Sequence, residues 1–150
     1  MTEANSPIRR QRVEGVFRSS TPVAAKLNKA GELANFIVKL NAVRDKTAFL
    51  NAIAKAMAFP EYFGHNWDGL YDCLLDKDPG PGGAGIVFEQ ASGFARAEPD
   101  EFAAAVDTLT DAADYWKDEG KILLAVFELD APALAPELAE FQLSSEAAGR

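Results

Sequence analysis

The residues best placed to do chemistry cluster between Phe59 and Leu74, in the run Phe59-Pro60-Glu61-Tyr62-Phe63-Gly64-His65-Asn66-Trp67-Asp68-Gly69-Leu70-Tyr71-Asp72-Cys73-Leu74. Asn66 is a natural N-cap, and behind it Trp67, Leu70, Tyr71 and Leu74 follow helical spacing. On that helix Asp68 and Asp72 share a face, with Asp76 one turn further. Asp68, in the first turn, complements the positive end of the helix dipole; Asp72 and Asp76 gain little from it. Like charges four residues apart repel by a few tenths of a kcal/mol. A helix that accepts this repulsion beside aromatic residues either presents carboxylates to something basic or simply keeps a solvated acidic face.

Catalytic chemistry fits the run less well. A cysteine nucleophile needs a base within hydrogen-bond reach, and His65 and Cys73 stand eight residues apart, partly along the helix. Cys73 borders the apolar stripe and reads as a buried, inert thiol. The chain's one His and one Cys leave only carboxylates to complete a metal site. The glycine-rich stretch 79–85 lacks the Lys-Ser/Thr ending of a phosphate-binding loop. Neither catalysis, a metal nor a cofactor is expected.

Charge gives a second pointer. Residues 1–60 hold 10 Lys/Arg against 4 Asp/Glu, whereas residues 61–150 hold 5 against 19, for a net charge of −8. The acidic half should repel nucleic acids and anionic membranes and attract basic surfaces. No apolar run approaches the roughly 20 residues that span a bilayer. The lone Cys73 gives no reason to assume an oxidising compartment, and a cytoplasmic protein is expected.

These residues need a scaffold. Phe36–Leu40, Ile86–Phe88 and Ile122–Phe127 read as strands, the last a continuous apolar run suited to a parallel sheet covered on both faces. Asp45 caps a helix whose apolar stripe is Phe49, Ala52, Ile53, Ala56 and Met57, with Pro60 as its stop. A long helix opens at Pro99, buries Phe102, Ala105, Val106, Leu109, Ala113 and Trp116, and ends at Gly120. Val13, Val16 and Phe17 give a weak signal for one short edge strand. The expected fold is α/β: a small three-stranded parallel sheet packed by about four helices. Residues 1–33 are expected to be a basic N-terminal extension, residues 34–129 the domain, and residues 130–150 a loosely attached tail.

The pattern Pro60-Glu61-Tyr62-x-Gly64-x-Asn66-x-Asp68-x-Leu70-x-Asp72-Cys73-Leu74 closely resembles the barstar family, intracellular inhibitors of a bacterial ribonuclease. The resemblance is dense here and looser from Ala34 to Leu129. It implies that the second helix and the segment before it plug a ribonuclease active site. Asp72 would then stand in for a substrate phosphate and Asp68 would add a second charge-assisted contact. Tyr62 would cover the cleft, Gly64 would allow close backbone approach, and Asn66 would bond across the interface while capping its own helix. Tyr71 matches a position where the family carries Trp. A glutamate on the family's next long helix also reaches the nuclease. Its position here is Tyr115, with Asp114 beside it to take over the role unless the target differs. Asp107, Asp111, Asp114 and Asp118 form an acidic face on that helix, which solvation also explains. The implied partner is a secreted-type ribonuclease. The alternative is an immunity or regulatory protein of the same fold directed at another basic toxin or nucleic-acid enzyme.

Overall fold

The computed structural model describes Ile8 and residues 13–60, 65–80 and 82–143. Its elements in chain order are β1 (Gly15–Ser19), α1 (Ala24–Ala30), β2 (Ala34–Lys39), α2 (Lys46–Met57), α3 (Trp67–Asp76), β3 (Gly83–Glu89), α4 (Ser92–Ala97), α5 (Pro99–Asp118) and β4 (Ile122–Glu128). A 3-10 turn at Pro132–Leu134 follows. The strands form one parallel sheet in the order β1-β4-β3-β2. The expected α/β class holds, but the sheet has four strands, not three. The added strand, β1, pairs with Leu124–Glu128 along the outer side of β4. It contains Val16 and Phe17 of the weakly signalled edge strand, and the signal in Gly-Val-Phe-Arg-Ser is faint because an edge strand is half solvated and need not be apolar throughout.

The two inner strands explain the continuous apolar runs. Along β4, Leu123, Ala125 and Phe127 face one side of the sheet, while Ile122, Leu124 and Val126 face the other. The first side packs under α2, α3 and α5. It carries a series of rings in which Phe94 stacks on Phe49 (4.9 Å), Phe49 on Phe88 (5.5 Å) and Phe88 on Phe127 (4.3 Å). The second side is covered by Ile8, Val13, Val23 and Leu27 from the N-terminal region and by Phe141 near the C-terminus. Residues 13–33 and 130–143, read from the sequence as an extension and a tail, are thus built into the same fold.

Two boundaries also move. The run 83–85, expected as loop, belongs to β3. A Cβ on Gly83 would overlap the backbone of Ile122, so glycine here permits the close approach of β3 to β4. Helix α2 ends at Met57, before Pro60, through Ala58 in a left-handed conformation at φ 55° and a Phe59 N–H bond to the Ala54 carbonyl. The expected caps form: Asp45 accepts from Ala48 N–H at 2.8 Å, and Pro99 opens α5. Among the described residues no helix is long and apolar enough to cross a membrane.

The C-terminal segment closes the β1 edge. Arg18 N–H donates to the Ala139 carbonyl (3.0 Å) and Phe141 N–H donates to that of Arg18 (2.6 Å). Glu140 accepts from the Arg18 guanidinium at 2.6 Å and from Ser20 N–H at 3.0 Å, and the Phe141 ring meets Phe17 edge-on at 5.9 Å. Phe141→Ala is therefore expected to lower stability by about 3 kcal/mol, the cost of deleting a buried ring. A urea denaturation midpoint equal to that of the parent chain would show that the strap contributes nothing.

Candidate functional site

Helix α3 forms because its first turn is capped and its inner face is apolar. The Asn66 side chain accepts from Gly69 N–H at 2.6 Å, and Leu70, Cys73 and Leu74 are buried. Two indole hydrogen bonds then fix the helix to α5. Trp67 Nε1–H donates to Glu101 at 3.0 Å, and Trp116 Nε1–H donates to the Leu74 carbonyl at 3.2 Å. One bond lies near each end, and together they set the register and rotation of α3 against its neighbour. The Trp67 ring also rests 5.8 Å from that of Phe49. The sequence suggested apolar faces for both helices but gave no sign of the Trp67–Glu101 pair, since no periodicity marks a polar clamp between helices.

Opposite this apolar face, Asp68, Asp72 and Asp76 are all exposed. Each step of four residues advances about 6 Å along the axis, so the carboxylates form a row. Among the described residues none of the three takes part in a hydrogen bond or ion pair. The nearby cations are engaged elsewhere. Lys46 Nζ sits over the Trp67 ring at 5.8 Å, and Lys77 Nζ donates to the Met57 carbonyl at 2.7 Å while lying 5.5 Å from the Phe36 ring. Tyr71 is half-buried at the margin of the row. Tyr62 and Gly64 lie outside the described residues.

Burial, with added repulsion from Asp76 and Asp72, raises the Cys73 pKa above the ordinary value for a thiol. The thiol is thus held protonated, the opposite of what a nucleophile requires. His65 lies before the capped turn at the other end of α3, so the helix separates it from Cys73 by about 9 Å of rise. Among the described residues no group of His, Cys, Asp and Glu is arranged to hold a metal ion.

Helix α5 divides the remaining candidates. Since Glu101 reaches Trp67, the shoulder of α5 beside α3 is defined by Glu101. At 100° per residue Tyr115 lies about 40° from Glu101 around the axis, and Asp114 about 140° from it. Tyr115 thus borders α3, whereas Asp114 points away from that side. Among the described residues Tyr115 is the exposed large apolar side chain, at 43%. Asp107, Asp111, Asp114 and Asp118 are all exposed, and they spread over the outer surface of α5.

Among curated proteins, none matches the chain. Residues 33–128 match the family model described as Barstar (barnase inhibitor), a span that takes in α3, α5 and three of the four strands. The carboxylate-bearing helix thus sits inside the matched region, and the chain belongs to the barstar family.

Proposed function

We propose that this protein is a ribonuclease inhibitor that blocks its target's active site with the outer face of α3. The observation that carries the reading is the row of Asp68, Asp72 and Asp76, exposed and unpaired among the described residues, on a helix clamped at both ends. A ribonuclease cleft binds phosphate through Arg, Lys and His. Carboxylate oxygens offer those donors the same charge and acceptor capacity, and charge-assisted bonds are the stronger class. Because α3 is held rigid, little conformational freedom remains to be lost on docking. The inhibitor carries out no reaction of its own. It occupies the place of the substrate backbone, in a complex expected to bury about 1,600 Å² in total.

Within this reading Asp72 is the central phosphate mimic and Asp68 the second contact, with Tyr71 supplying an aromatic margin. Tyr62, Gly64 and Asn66 take the roles implied by the family. Asp114 is the outermost candidate. Tyr115, which replaces a family glutamate, favours a target that meets this shoulder with an apolar or planar group rather than a second cation. A secreted-type ribonuclease is the expected partner and the cytoplasm the expected place of action. A basic toxin of another kind is the second reading, favoured by the same aromatic substitution.

Titration against a guanyl-specific ribonuclease and an unrelated basic toxin separates the two. With the true target, Asp72→Ala is expected to weaken binding by at least about 2 kcal/mol. That hot-spot threshold is a general figure drawn in part from the barnase–barstar pair. Asp114→Ala should cost much less, because it faces away from α3. A loss below about half that threshold for Asp72→Ala would remove α3 as the anchor, whereas equal large losses for the two variants would bring the outer face of α5 into the interface. Association is also expected to slow steeply with added salt, since exposed charges are screened beyond about 10 Å at 0.1 M. Stopped-flow rates that do not change with ionic strength would rule out steering by the acidic row.

A further inference from the structure

A crevice of about 510 Å³ opens at the carboxyl ends of the strands, away from the acidic face of α3. It arises from the topology. Strand β1 leaves the sheet toward α1 on one side, whereas β2 and β3 lead into helices packed on the other. Chain exits that part in this way create the cleft in which open parallel sheets hold ligands. The volume falls within the usual range for small-molecule sites, roughly 300–1,000 Å³.

Its polar groups divide into spent and unspent. Arg96 and Asp130 satisfy each other through two hydrogen bonds at 3.0 and 2.6 Å. Arg44 instead has no carboxylate partner among the described residues. Its Nη1 donates to the Asn41 and Val43 carbonyls at 3.1 and 2.9 Å, which orients the guanidinium and leaves its other N–H groups free. The guanidinium lies against Gly93, where a Cβ would overlap it. Glu128 accepts from Val23 N–H at 3.2 Å through one oxygen, and its other oxygen has no partner among the described residues. Burial, followed by repulsion from Glu89, pushes this carboxyl's pKa up, against the effect of the Val23 bond. Gln90 lines the same crevice at φ 53°, a left-handed conformation rarely kept by a non-glycine residue without cause.

We propose that this crevice binds a small metabolite with an anionic group at one end and N–H or O–H donors at the other, the anion on Arg44 and the donors on Glu128. A nucleoside monophosphate and an α-amino acid share this chemistry. The proposal does not depend on the ribonuclease reading, because α3 contributes no residue to the crevice.

The test is NMR titration of the 15N-labelled full chain with guanosine 5′-monophosphate, L-glutamine and inorganic phosphate in separate arms. One of the first two is expected to shift the amides of Gln90, Ser92, Gly93 and Glu128, and the arm that does so identifies the source. Arg44→Gln should weaken that binding at least about tenfold, as expected for loss of a charged hydrogen bond. Gly93→Ala keeps the charge but displaces the guanidinium, and should weaken binding as well. No shift with either organic probe at millimolar concentration would overturn the proposal. So would unchanged binding in Arg44→Gln, or phosphate binding as tightly as the organic probe, which would reduce the crevice to a simple anion site.

Discussion

The attachment of α3 to α5 governs everything the site can do. A ten-residue helix is marginal in water by itself, and two like-charge pairs at four-residue spacing subtract a few tenths of a kcal/mol each. Burial of Leu70 and Leu74, at roughly 1.5–3 kcal/mol per side chain, exceeds that repulsion several-fold. The two indole bonds then choose one rotation of the helix and leave the aspartates outward. Without that attachment the carboxylates would have no common direction.

The asymmetry of charge along the sequence takes a specific form in three dimensions. Lys46 and Lys77 come from elements flanking α3, yet their ammonium groups go to ring faces and to a helix-end carbonyl. Lys77 at the carboxyl end of α2 is favourably placed against the negative end of that helix dipole. Two cations close to the acidic row are thus engaged in contacts around the helix that bears it. Burial of Cys73 on the inner face of the same helix, with added repulsion from Asp76 and Asp72, keeps its thiol protonated, so one arrangement both presents the aspartates and suppresses thiol chemistry.

How far the sequence could be read depended on where each residue's partners lie. Strands β3 and β4 were legible because burial on both faces leaves long apolar runs, and the caps at Asp45 and Asn66 were legible because capping is local. Strand β1 was only faintly legible, through Val16 and Phe17, because half of it faces solvent and its order comes from β4 and Ala139–Phe141, more than a hundred residues away. The glycines at 83 and 85 look like loop until the neighbouring backbone they accommodate is known. At the site, spacing alone identified the shared face of Asp68 and Asp72. It could not choose between Asp114 and Tyr115, because that depends on which shoulder of α5 meets α3.

The neighbouring positions of β1 and β4 have a kinetic consequence. Pairing Gly15 with Leu124 requires closure of a loop of more than a hundred residues, and topologies rich in such contacts form slowly. During synthesis the first strand has no mate until the last one emerges, and β4, if formed early, would present a bare edge open to intermolecular pairing. Strand β4 and the residues after it thus act as the latch on maturation, and a chain interrupted before them leaves β1 without the strand it pairs with.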